Sequence, residues 1–135
     1  MTAPHATLPA MSLAVVGVRH PNRDKSNRGF EILLCRPGDV IELRPEPKNK
    51  HDEHAVAVFS ERGVQLGYLT AERAPYIGKI IRQGREVTAV FQQAVPFGAW
   101  LRVAFDGEQP VLPPDRPAPT EDPDSGWFPD EVWDD

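Results

Sequence analysis

A polar, turn-rich segment, Pro45-Glu46-Pro47-Lys48-Asn49-Lys50-His51-Asp52-Glu53-His54, runs straight into the alternating apolar strand Ala55-Val56-Ala57-Val58. Asn, Asp and His crowded at a strand entrance give up regular backbone pairing and satisfy their groups locally. Such a loop costs conformational order, and ordered loops on a rigid scaffold carry function out of proportion to their length. This one offers an amide, carboxylates and two imidazoles between Asn49 and His54. It reads as a ligand-binding surface.

The apolar runs around it are short and evenly spaced. Leu13–Val18, Val40–Leu43, Ala55–Phe59, Val64–Leu69, Val87–Phe91 and Trp100–Phe105 are β-branched or alternating, and turn chemistry separates them. Glu61-Arg62-Gly63 is a hairpin turn, and Pro96-Phe97-Gly98 separates the last two strands. Pro21–Gly29 is a polar loop. Phe30–Cys35 fits a short helix through Phe30, Leu33 and Leu34, or a strand through Phe30, Ile32 and Leu34. The stop chemistry of Arg36-Pro37-Gly38-Asp39 favours the helix. From Ala71 to Gln83, Ala74, Ile77 and Ile81 recur at helical spacing, with Thr70 as N-cap, Pro75 in the first turn and Gly84 just past the end. The expected fold is mainly β with some α (α+β): a small six-stranded, partly open β-barrel of the oligonucleotide-binding (OB-like) type, with one or two short helices. Phe91, Trp100 and Phe105 are its expected core rings.

Proline and charge divide the chain. Seven of its 15 prolines fall in residues 108–135, which lack an aliphatic run and carry one Arg against nine Asp/Glu. That end cannot bury enough apolar area to offset its ordering entropy and reads as a Pro-rich, acidic, disordered tail. Residues 1–12 read as a flexible lead-in, leaving a barrel at 13–107. Residues 1–107 hold 14 Lys/Arg against 11 Asp/Glu, so an overall charge of −5 conceals a mildly basic domain that permits a nucleic-acid partner. The lone Cys35 excludes an internal disulfide and, in an apolar run, reads as an inert thiol in a reducing compartment. No run is long enough to span a membrane, and no basic region precedes the first apolar run as in a signal peptide, so a cytoplasmic, nucleoid-associated monomer is expected.

Several blocks in order resemble the HIRAN domain: Val16-Gly17-Val18-Arg19-His20, then Pro37-Gly38-Asp39, Glu46 to Val56, Gly67-Tyr68-Leu69, and Val95-Pro96-Phe97-Gly98-Ala99. That module occurs at the N-terminus of some fork-remodelling SWI2/SNF2 helicases and as a standalone bacterial protein. The resemblance covers about Leu13 to Phe105. It implies a modified oligonucleotide-binding barrel that captures single-stranded DNA, preferring a free 3′ end, in repair or replication. It further implies that Arg19 lies beside the nucleotide backbone, with Asn49 and Asp52 in the end pocket and Asp52 receiving the terminal hydroxyl. His51 and Tyr68 then take ring positions near the terminal bases, and Phe97 that of a late aromatic. The chain departs from the helicase-attached pattern in three places. His20 replaces a Tyr after Arg19, His51 replaces a larger ring, and Thr70-Ala71-Glu72 stand where a basic residue is usual. Stacking area and phosphate attraction are both reduced by these changes. The expected partners are a single-stranded DNA 3′ end and a helicase, nuclease or other repair protein.

The residues also admit plainer roles. Asn49 and Asp52 can cap their own loop; Arg19 can be a solvated edge charge; Tyr68 can be core or platform. His51, Asp52, Glu53 and His54 match no tight metal spacing, and adjacent side chains diverge, so no metal or other cofactor is expected. No nucleophile–base pair, Gly-rich phosphate loop or carboxylate pair suggests an enzyme. The tail interleaves Trp127, Phe128 and Trp133 with acids, mimicking bases and phosphates, so it can occupy the domain's own groove. A protein-interaction adaptor with a degraded DNA pocket, and RNA-end binding, are the rival readings.

Overall fold

A computed structural model describes residues 8–113. The acidic tail from residue 114 onward and the first seven residues of the lead-in lie outside the described residues. The elements are β1 (Met11–Val16), α1 (Arg28–Leu34), β2 (Val40–Pro45), β3 (Val56–Phe59), β4 (Gln65–Leu69), α2 (Ala74–Arg82), β5 (Val87–Val95) and β6 (Gly98–Phe105). The strands form a ring in the order β1-β4-β3-β2-β5-β6, closed by pairing of β6 with β1, and every pair is antiparallel.

The barrel is therefore closed rather than partly open, and two glycines explain the closure. A Cβ on Gly67 would lie 2.2 Å from the Val16 carbonyl oxygen, and one on Gly98 would lie 2.0 Å from that of Val15. Only a residue without a side chain lets β4 and β6 approach the end of β1 this closely. β5 and β6 also outrun expectation, pairing from Val87↔Phe105 to Val95↔Gly98 with a bulge between Phe91 and Gln93. Pro96-Phe97 is consequently a two-residue hairpin connection, and β1 begins at Met11, two residues before the expected strand.

Alternation fills the interior with Leu13, Val15, Val56, Val58, Leu66, Leu69, Phe91, Leu101, Val103 and Phe105, all at most 2% exposed. Burying each such side chain contributes roughly 1.5–3 kcal/mol before entropy is counted. Trp100, expected in the core, is only half-buried because its neighbours Ala99 and Leu101 take the inward positions of β6. α2 places Ala74, Ile77 and Ile80 against the interior residues. Its N-cap is Arg73, not Thr70. Thr70 instead accepts from Arg73 N through Oγ1 (3.3 Å) and forms the preceding turn. Gly84, at φ +79°, takes the left-handed conformation past the helix end.

The ambiguous segment is a helix, but its apolar stripe faces outward. Phe30, Leu33 and Leu34 are 62%, 76% and 45% exposed, while Arg28, Glu31 and Ile32 are buried. Asn27 caps α1, its side chain accepting from Phe30 N at 2.7 Å. Glu31 is held by the Ser60 hydroxyl (2.8 Å) and by Arg62 (2.7 Å), which fixes that side of the helix against the β3–β4 connection.

Candidate nucleic-acid interface

The outer face of β2, β3 and β4 is laid out by register. Arg44 pairs with Ala57, which pairs with Tyr68; Glu42 pairs with Phe59, which pairs with Gln65 across a bulge. Val56 and Val58 point into the barrel, so Ala57, Phe59 and Tyr68 point out of it. There they form a second small apolar cluster with Ala55. The Pro21–Asn27 loop and the Pro47–His51 loop rise on either side. Between them is a cleft of about 920 Å³.

One wall depends on Arg28, which is 2% exposed. Its Nε donates to Asn22 Oδ1 (2.6 Å), its Nη1 donates to the Gly17 carbonyl (2.8 Å), and its guanidinium lies 5.9 Å from the Tyr68 ring centroid. Asn22 continues the network, donating to Ser26 Oγ (2.9 Å) and the Gln65 carbonyl (3.0 Å). A buried guanidinium needs such acceptors, because burying it without them is costly. The Ser26 hydroxyl and then its N–H hold the Asp24 carboxyl below its ordinary value, and the same bonds fold the loop.

The opposite wall is the Asn-His-Asp loop, and Glu46 is its junction. Glu46 Oε1 accepts from the Tyr68 hydroxyl (2.8 Å) and from Asn49 Nδ2 (3.0 Å). Asn49 Oδ1 then accepts from the N–H groups of His51 (2.8 Å) and Asp52 (3.1 Å). Asp52 Oδ1 accepts from His54 N (2.8 Å). The local capping role of both residues is real, and it leaves Asp52 Oδ2 outside any hydrogen bond among the described residues.

Of the expected site residues, Asn49, His51 and Tyr68 line the cleft, whereas Arg19, His20, Asp52 and Phe97 are not in its walls. Arg19 is exposed and His20 half-buried in the turn after β1; Phe97 is half-buried in the β5–β6 connection. Asp52 is half-buried and follows His51 in the loop, its N–H bonded to Asn49 Oδ1. Tyr68 belongs to the floor and is 0% exposed, so it is not an open stacking platform. Its placement outside the barrel, beneath Arg28, reconciles the core and platform alternatives.

Sequence reasoning missed Asn22, Arg23, Arg28, Glu46, Lys48, Lys50 and Phe59, all of which line the cleft. For Glu46, Lys48 and Lys50 the signal was present, since they flank Asn49 in the polar segment. The cleft lining holds Arg23, Arg28, Lys48 and Lys50 against Asp24 and Glu46, a surplus of cations. Among the described residues, no group of three His, Cys, Asp or Glu side chains is placed to hold a metal ion. Nor is any helix there long and apolar enough to cross a membrane.

Comparison with known families fits this geometry. The model of the HIRAN domain matches residues 10–106. This chain belongs to the HIRAN family. Its fold is similar to the crystal structure of the HIRAN domain of human HLTF, with 20% identity, a TM-score of 0.60, and coverage of 73% of this chain and 76% of that one. It is also similar to a crystal structure from Lactobacillus plantarum, at 18% identity and a TM-score of 0.55, covering 71% of this chain and 97% of that one. An NMR structure of the HLTF HIRAN domain in its DNA-bound conformation is 23% identical, with a TM-score of 0.49 and coverage of 73% and 75%. No curated protein matches the sequence. At these identities the structural likeness concerns the fold of the HIRAN barrel.

Proposed function

We propose that this HIRAN barrel binds single-stranded DNA without catalysis and prefers a free 3′-hydroxyl end. The observation that carries the reading is the cleft itself. A cation-rich rim (Arg23, Lys48, Lys50) surrounds a floor with aromatic surface, beside a loop whose Asn and Asp are held by its own backbone. A single strand is bound by this combination of a positive groove for phosphates and rings for bases. A terminal hydroxyl is a donor that no internal nucleotide offers. Asp52 Oδ2 is an acceptor for it, and a bond to a carboxylate is about twice as strong as a neutral one. A 3′-phosphate in that place meets like charge. Arg19 and His20, in the turn after β1, and Phe97, in the β5–β6 connection, lie outside the cleft walls and are assigned to the strand leading away from the cleft. The biological setting that follows is repair or replication, with the barrel bringing a partner helicase or nuclease to a 3′ end.

Fluorescence anisotropy with a short labelled strand tests this. The full chain should prefer a 3′-hydroxyl over a 3′-phosphate, and Asp52→Ala should erase the preference. Lys48→Ala with Lys50→Ala should weaken both and flatten the salt dependence, because fewer counterions are released. Equal affinity for the two ends in the full chain refutes end capture.

A second reading rests on a different surface. Phe30, Leu33 and Leu34 give α1 an exposed apolar face outside the cleft that suits a protein partner. Leu33→Glu should then abolish partner binding, which persists at high salt, and leave DNA affinity unchanged. A DNA interaction lost in Leu33→Glu would contradict that separation.

A further inference from the structure

We propose that Phe59, backed by Arg44, is a base-stacking subsite of this cleft that accepts a nucleobase next to the terminal one. The inference rests on the single-strand reading above and names a contact that reading does not contain.

Phe59 is the last residue of β3 and points out of the barrel. It is half-buried and lines the cleft, whereas Tyr68, the other ring of the same cluster, is wholly covered. Ala55 and Ala57 keep the floor beside it low. A large ring at an outward position of a strand is not needed to fill the barrel, whose interior is complete without it.

The ring is also fixed in place. The Arg44 guanidinium carbon lies 3.8 Å from the Phe59 ring centroid, within stacking distance. Arg44 in turn grips Glu42 with two bonds, Nε to Oε2 at 2.8 Å and Nη2 to Oε1 at 3.0 Å. Such a fork sets the plane of the guanidinium. Glu42, Arg44 and Phe59 occupy neighbouring positions on one face of β2 and β3, so all three stand on paired strands rather than on a loop. A base arriving at Phe59 meets a ring already ordered, with Arg23, Lys48 and Lys50 in the same cleft for its phosphates. Any of the bases fits, since each has a π-face.

The test uses the full chain and oligothymidylates carrying a single 2-aminopurine, moved one position at a time from the 3′ end. The proposal expects one position to be quenched on binding. Phe59→Leu should abolish that quench and weaken binding about tenfold, the scale of one stacked base. Arg44→Gln, an exposed substitution that leaves the fold alone, should reduce the quench at the same position. An abasic residue there should make wild-type and Phe59→Leu bind equally. If the wild type binds but both variants keep its affinity and quench pattern, the subsite is refuted and the cleft reading stands. If the wild type binds no oligonucleotide at low salt, the cleft reading fails and this proposal falls with it.

Discussion

Replacing Glu46 tests the junction that joins the loop to the barrel. Glu46→Ala removes the shared acceptor of Tyr68 Oη and Asn49 Nδ2. The two donors suffer differently. Asn49 is half-buried and its amide can turn to water, but Tyr68 is 0% exposed, so its hydroxyl cannot replace the lost carboxylate with water. A bond to a carboxylate is worth about 1.5–3 kcal/mol, and a buried donor that loses its acceptor where water cannot reach adds about 1–3 kcal/mol at most. Allowing for overlap, Glu46→Ala should cost about 3 kcal/mol. For a domain of this size that lowers Tm by roughly 12 °C. Tyr68→Phe alone should cost about 1.5 kcal/mol, since it removes the bond but strands a solvent-reachable acceptor. The double variant should be no less stable than Glu46→Ala, giving a coupling of about 1.5 kcal/mol by urea unfolding. Effects that add to within about 0.3 kcal/mol would refute the shared junction.

Four further outcomes are expected. Gly98→Ala should cost more than about 3 kcal/mol or prevent soluble expression, because the new Cβ meets the Val15 carbonyl; Gly84→Ala, with open space around it, should cost only about 1–2 kcal/mol for its left-handed φ, both read by thermal melting. Burial, and then the carboxylates of Glu31 and Asp39, push the Cys35 thiol from 9.0 up to about 11. The folded state thus favours the neutral thiol, and that contribution is intact below pH 9 and lost as pH rises toward 11. Cys35→Ser should flatten this part of the alkaline stability curve, and iodoacetamide labelling of the folded chain at pH 8 should run about a hundredfold slower than that of the unfolded chain. Arg28→Met should loosen the Pro21–Asn27 loop by freeing Asn22, detected as faster amide exchange there with β5 and β6 protection unchanged. Deleting residues 108–135 should strengthen DNA binding if the acidic tail occupies the cleft; unchanged affinity at low salt would dismiss self-inhibition.

Local chemistry made much of the architecture legible. Short apolar runs located all six strands, and helical spacing with the stop residues located both helices, because those signals depend on near neighbours in sequence; the expected cap Thr70 did not hold. What escaped depends on contacts across the fold. Gly67 and Gly98 look like ordinary turn or strand glycines until β1 is found lying against both. The stripe Phe30, Leu33, Leu34 suggests a buried helix face, yet acceptors from Gly17 and Asn22 draw Arg28 inward and turn the stripe out. Trp100 misled for the complementary reason, since large rings do not choose the face of a strand; register does. At the site, Asn49 and Asp52 came from the resemblance to the family, and of the two Asn49 lines the cleft. Phe59 and Arg44 were not, because their meeting requires β2 and β3 to be paired first.

Closure of the ring has a bearing on how other proteins can engage this one. A sheet with a free edge can recruit an extended peptide as an additional strand, or join edge to edge with a copy of itself. Here the ladder passes from β6 back to β1, so neither outer strand offers a bare row of amides and carbonyls. Among the described residues, recruitment proceeds through side chains and loops: the exposed stripe on α1, the connections at the barrel ends, or the cleft. Each of these can change by substitution without altering the strand ladder, so one barrel can acquire new associates while retaining its resistance to self-templated aggregation.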